Sequence, residues 1–206
     1  MSRRSSSSRW YRTQSTDPFV HKREQAGLRS RAAFKLQEIL DRDRLLRPGQ
    51  VVLDLGAAPG GWSQVVAPLV GPQGCLVAVD ILPMDPIAGV VFIRGDATED
   101  AVVEQIREAL QGRAVDLVIS DMAPNLTGIR PVDEARSVVL AEQVLHIAQN
   151  FLRHGGTMVM KLFQHNDTEV FIREARRSFA TLSRRKPAAS RSHSREFYVV
   201  ASGFQL

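Results

Sequence analysis

The sequence predicts an α/β fold of Rossmann-like type, a mainly parallel seven-stranded sheet with helices on both faces. Short apolar runs of strand length alternate with amphipathic stretches along most of the 206-residue chain, which is the pattern of βαβ units. The runs are apolar nearly throughout rather than at every second position, as strands covered on both sides are. Asp80, Asp96, Asp121 and Lys161 fall at the ends of four of these runs. Ligands of such sheets bind beyond the carboxyl ends of the strands, so the four residues point to one site.

The elements follow in order. Residues 1 to about 20, rich in serine and arginine, are expected to be a basic disordered tail, and residues 21–206 a single domain. A helix is expected over 30–44, capped by Ser30, with Ala33, Leu36, Ile39 and Leu40 as its apolar stripe. Pro48 and Gly49 end it. Strands are expected at 51–55, 75–79, 90–94, 115–120, 157–160, 181–185 and 196–201, and helices at 62–69, 99–111, 133–152 and 168–179. The clearest helical signal is Val138, Ala141, Leu145, Ala148 and Leu152, spaced 3, 4, 3 and 4 apart.

Composition narrows the function classes. With 44% hydrophobic and 24% charged residues the chain has an ordinary soluble core. Cys75 is the single cysteine, so no internal disulfide forms, no Cys/His cluster has zinc spacing, and a reducing cytoplasm suits the protein. Residues 55–79 are uncharged, but five glycines and three prolines exclude a membrane-spanning helix there. The first twelve residues lack the apolar core of a secretory signal. The net charge of +5 is unevenly placed: residues 1–35 hold nine Lys/Arg and two acids, and residues 173–196 hold eight and two. Two basic ends on an acidic body suit a protein that grips a polyanion. Lys22, Arg23, Arg29, Arg31, Arg191 and Arg195 are the candidates for contacts to such a polyanion. Trp10, Tyr11 and Phe19 lie among arginines and could stack on bases, although an unstructured tail explains them as well. His21, His146, His154, His165 and His193 are scattered and read as surface polar residues.

The segment Asp54-Leu55-Gly56-Ala57-Ala58-Pro59-Gly60-Gly61-Trp62 follows the first strand and opens a helix. Small residues there let a ligand approach the backbone, and the helix start favours a carboxylate. Asp80, at the end of the next strand, is placed to accept hydrogen bonds from ribose hydroxyls. The dinucleotide spacing G-x-G-x-x-G is absent, because Ala58 stands at its second glycine. Asp54 suits a ligand ammonium better than a pyrophosphate.

Three separated motifs carry a family resemblance. They are the loop just quoted with Ser63-Gln64, then Ser120-Asp121-Met122-Ala123-Pro124-Asn125, then Arg191-Ser192-His193-Ser194-Arg195-Glu196. Over about residues 20–205 the chain resembles the FtsJ/RlmE-type ribosomal RNA large-subunit 2′-O-methyltransferases. The resemblance implies a class I methyltransferase fold with S-adenosyl-L-methionine as cofactor. It implies a Lys-Asp-Lys-Glu tetrad on Lys35, Asp121, Lys161 and Glu196, and cofactor contacts at Gly60, Trp62, Asp80, Asp96 and Asp121. It also implies a uridine of 23S RNA in the large ribosomal subunit as target, where aminoacyl-tRNA is accommodated. No metal, no membrane and a monomer are expected. A 2′-hydroxyl must lose its proton as it attacks the methyl group, and a lysine flanked by a second ammonium and partly buried is a usable base. Lys161 is the candidate for base or steering group, Lys35 for its electrostatic partner, and the carboxylates orient them. The alternative is an RNA-binding ribosome-assembly factor that keeps only the methyltransferase fold. A small-molecule or protein methyltransferase would leave the basic ends and paired lysines unexplained.

Overall fold

A computed structural model of the chain describes residues 18–191 and 194–205. Six helices are described: α1 (Pro18–Gln25), α2 (Ala32–Asp43), α3 (Gly61–Val70), α4 (Asp100–Leu110), α5 (Arg130–Phe151) and α6 (Asn166–Ala175). The strands are β1 (Val51–Leu55), β2 (Cys75–Asp80), β3 (Val90–Arg94), β4 (Val115–Ser120), β5 (Leu152–Phe163), β6 (Phe179–Arg185) and β7 (Glu196–Phe204). They form one seven-stranded sheet in the order β3-β2-β1-β4-β5-β7-β6. Strands β1 to β5 run parallel, whereas β7 is antiparallel to both β5 and β6. The strand order reverses between β1 and β4, which opens a crevice at their carboxyl ends.

Both sheet faces are covered, as the apolar strands predict. Alternate residues of one strand point to opposite faces, and the core accordingly divides in two. One half packs Leu53 and Leu55 with Val102, Ile106, Val144 and Ile147 of α4 and α5. The other packs Val52, Val159 and Tyr198 with Leu36 and Ile39 of α2 and Trp62 of α3. Burying such side chains contributes about 1.5–3 kcal/mol each.

The differences from the sequence reading have local causes. α2 begins at Ala32, and its N-cap is Arg31, without a side-chain cap, rather than Ser30. α5 starts at Arg130, three residues earlier than expected, because Pro131 in its first turn fixes a helical φ where no N–H is needed. β5 is longer than expected, since Leu152 already pairs with Val115 before the register shifts and Thr157 takes up Leu117. α1 was not anticipated: residues 18–20, assigned to the tail, open this helix. Trp10, Tyr11 and His193 lie outside the described residues.

Candidate active site

The carboxyl ends of β1 to β4 and the inner side of α5 enclose a cleft of about 1040 Å³. Asp80, Asp96, Asp121 and Asn125 line it, so three of the strand-end acids expected from sequence meet in one place. Gly56 shapes its floor. It adopts a φ of +74°, and a Cβ there would lie 2.2 Å from Cγ of Met122, so only glycine admits this approach.

Beside the cleft lie two ion pairs. Their placement follows from strand register. Lys161 pairs with Tyr198, and Phe163 with Glu196, across antiparallel β5 and β7. Residues directly opposite share a face, as do residues two apart, so Lys161, Tyr198 and Glu196 all face α2 and α3. Lys35 on α2 covers the same side. Its Nζ donates to Oε1 of Glu196 at 2.5 Å. Lys161 Nζ lies 3.2 Å from Asp121 Oδ1 and also donates to the Asp121 carbonyl. The Tyr198 hydroxyl donates to Asp121 Oδ1 at 2.8 Å, and its ring lies 5.8 Å from Lys35 Nζ and 5.8 Å from the Trp62 ring. Tyr198 therefore joins the two pairs into one cluster. The sequence reading assigned it no role, although its position two residues after Glu196 on a strand was the available signal.

Burial controls the electrostatics. The Lys35 and Lys161 side chains are only 10% and 9% exposed. Burial pushes the Glu196 carboxyl up, but the hydrogen bond and charge of Lys35 outweigh this and hold it below the usual range. Burial raises the Tyr198 hydroxyl, and the charges of Asp121 and Glu196 raise it further, so it stays a donor.

The expected cofactor positions divide into three groups. Asp80 and Asp96 line the cleft. Asp80 already accepts Ala58 N–H and Leu82 N–H at 2.8 Å each, and Asp96 accepts the Thr98 N–H and hydroxyl. Each carboxylate retains lone pairs for a further partner. Gly60 is covered: a Cβ there would meet Ile87 at 2.8 Å and Met84 at 2.9 Å. The Trp62 indole is buried in the core and donates to Ala32 O at 2.9 Å, and neither Gly60 nor Trp62 lines the cleft.

Asp54 does not face the cleft, contrary to the ligand-ammonium role expected for it. It alternates with Val52 and so points beneath α3, 1% exposed, where the Ser63 hydroxyl donates to it at 2.6 Å. Burial pushes its carboxyl up to about 7, the Ser63 bond opposes this, and the charges of Asp121 and Asp80 reinforce it.

The candidate RNA contacts also separate. Lys22 is exposed above the Phe19 ring, and Arg23 contacts Glu24 at 3.1 Å. Arg29 instead donates to the carbonyls of Pro59 (3.3 Å), Asp85 (2.6 Å) and Pro86 (2.8 Å). It thereby ties the segment after β2 to the glycine loop. Arg31 donates to Ala189 O, and burial followed by the charge of Arg191 lowers its pKa. Arg195 donates to Gln164 O at 2.8 Å and reaches Glu134 at 3.4 Å. His165 is buried, contrary to its surface assignment, with Nε2 near the Ser137 and Thr168 hydroxyls. Among the described residues no group of acids, histidines and cysteine could hold a metal ion, and no helix is long and apolar enough to cross a membrane.

An acid-lined crevice at the strand-order reversal, flanked by lysine–carboxylate pairs, is the architecture of a Rossmann-like methyltransferase. Residues 28–204 match the FtsJ-like methyltransferase family, and the chain belongs to that family. It is 50% identical over 204 residues to "Ribosomal RNA large subunit methyltransferase E" of Alkalilimnicola ehrlichii, covering 99% of this chain and 98% of the relative. The Pseudomonas aeruginosa protein of the same name is 49% identical over 205 residues, with 100% and 99% covered. Among solved structures, a ribosomal RNA methyltransferase from Plasmodium falciparum superposes with a TM-score of 0.78 at 29% identity, covering 85% of this chain and 98% of that one.

Proposed function

We propose that the protein transfers a methyl group from S-adenosyl-L-methionine to the ribose 2′-hydroxyl of a uridine in 23S RNA of the large ribosomal subunit. In this reading it acts in the cytoplasm, as a monomer, through a single domain without a metal. The observation that carries the reading is the convergence of Lys35–Glu196 and Lys161–Asp121, joined through Tyr198, beside the acid-lined cleft. The relatives' names support the RNA substrate, and the motif resemblance supports the uridine.

The cleft suits the cofactor in charge. Asp80, Asp96 and Asp121 give it a negative potential, felt as the upward push of Asp80 and Asp121 on Asp54. That potential favours a cationic sulfonium, and Asp80 and Asp96 suit hydroxyl or amine donors of an adenosine. The bound cofactor supplies an electrophilic methyl group. Asp121 holds Lys161 Nζ through both its carbonyl and its carboxylate, which fixes the amine beside the cleft. With the cofactor bound, Lys161 Nζ would be the group that receives the 2′-hydroxyl proton as the methyl group leaves the sulfur for the 2′-oxygen. Lys35, fixed by Glu196, adds positive charge beside the developing oxyanion.

The test is to map ribose methylation across ribosomal RNA from cells with and without the gene, then to add purified protein and cofactor to subunits from the deleted strain. One 2′-O-methyluridine should vanish from 23S RNA and return on addition. An unchanged map rejects the reading. A site that vanishes and does not return favours the assembly-factor alternative.

A further inference from the structure

The loop between β4 and α5 is braced from below. Asp133 Oδ1 accepts the Thr127 N–H (2.7 Å) and hydroxyl (2.8 Å), and Oδ2 accepts the Gly128 N–H at 3.1 Å. Arg136 Nη1 donates to Asn125 O at 3.3 Å, and the Thr127 hydroxyl oxygen accepts the Ile129 N–H at 3.1 Å. This framework holds two large apolar side chains in solvent: Leu126 is 73% exposed and Ile129 59%. A scattered exposed leucine is ordinary. Two large apolar side chains on one hydrogen-bonded loop, directly after cleft-lining Asn125 and five residues past Asp121, are not.

The loop also lies on the tetrad side of the molecule. Arg195, next to Glu196, reaches Glu134 near the start of α5, and Arg130 binds the same carboxylate at 2.8 Å. The Arg130 and Arg195 side chains are 71% and 49% exposed, so the apolar tip has cations beside it that suit phosphates. The lysines themselves are recessed, about one-tenth exposed. A ribose held in a continuous base stack cannot reach them, so its nucleotide must leave the stack, as in other enzymes that act on a nucleotide inside structured nucleic acid.

From this arrangement we infer that Leu126 and Ile129 form an apolar wedge, which packs against nucleobases and holds the target nucleotide out of its stack. Apolar side chains inserted at base steps serve this purpose in other nucleic-acid-binding proteins. The inference rests on the reading that the substrate is RNA. It assigns the two residues no part in cofactor binding, because neither lines the cleft.

The experiment compares wild type with Leu126→Ser/Ile129→Ser by single-turnover ribose methylation of unmodified large subunits at saturating subunit concentration. Cofactor affinity should be unchanged, since neither side chain lines the cleft, and the thermal midpoint should not fall, since both side chains are largely exposed and serine is a favoured residue at the Ile129 N-cap. The saturating rate should fall on the order of ten- to a hundredfold, because unstacking is no longer compensated, while subunit affinity moves only a few-fold. Leu126→Met/Ile129→Leu should restore the rate, since it keeps the apolar bulk. A wild-type saturating rate in the serine variant overturns the wedge, as does a loss confined to affinity, or a Met/Leu variant as slow as the serine one. In each of those cases wild-type methylation is intact and the proposed function stands. Absence of ribose methylation by the wild type overturns both.

Discussion

Replacing Asp54 by asparagine should change how stability depends on pH. Asp54 is fully buried beneath α3, and its carboxyl is pushed from 3.8 up to about 7, by burial first. The folded state therefore holds this proton more tightly than the unfolded chain does. The stability it contributes is complete below about pH 4 and is lost as pH rises towards 7. At 1.36 kcal/mol per unit, the full span corresponds to about 4 kcal/mol, of which about 3 kcal/mol is lost between pH 5 and pH 8. In Asp54→Asn the group cannot ionise, and the Ser63 hydroxyl keeps an oxygen acceptor. Urea unfolding of both proteins at several pH values reads the effect directly. The variant should gain about 3 kcal/mol relative to wild type between pH 5 and pH 8, whatever constant offset the amide introduces. A difference that does not change with pH would refute the reasoning, and one of opposite sign would mean that Asp54 is stabilised as a carboxylate.

Three further predictions concern the cleft and the basic surface. Asp80→Asn should weaken binding of S-adenosylhomocysteine by about 1–3 kcal/mol, the usual loss for a charge-assisted hydrogen bond; unchanged affinity in calorimetry would remove Asp80 from the site. Lys22→Gln/Arg23→Gln should weaken RNA binding and reduce its salt slope by up to about 2, leaving cofactor affinity intact. Arg29→Ala should do the reverse, lowering cofactor affinity by releasing the segment after β2, with little change in salt slope. Identical behaviour of the two variants would show that Arg29 acts as a surface cation after all.

Much of the fold was legible because buried parallel strands leave a direct trace: a run such as Val51-Val52-Leu53 has few other uses in a protein of this composition. α1 was not, since Phe19 and Val20 are the only large apolar residues in its eight, too few to show a helical period. The early part of β5 was hidden because Gly155 and Gly156, which lie within the strand, interrupt its apolar run. At the site, the strand-end acids and Lys161 were readable from position alone, whereas Lys35 and Glu196 needed the motif resemblance. Nothing local in sequence marks Lys35, which meets Glu196 from 161 residues away. Asp54 misled because proximity to the loop outweighed alternation: its two-residue offset from Val52 directs it under α3. Arg29 read as an RNA contact because its acceptors are backbone carbonyls, which have no sequence signature.

The most direct test of the account is single-turnover ribose methylation of unmodified large subunits by wild type, Lys161→Ala and Lys161→Arg. The lysine sits at a strand end with its amine on Asp121, so truncation removes the proposed base, and a thermal melt of each variant separates loss of the amine from loss of the fold. The alanine variant should bind cofactor normally and lose about 10²–10⁴-fold in rate. The arginine variant should recover little, because a guanidinium stays protonated. A near-wild-type rate in Lys161→Ala would contradict the account, and full activity in Lys161→Arg would show that this position supplies charge rather than accepting the proton.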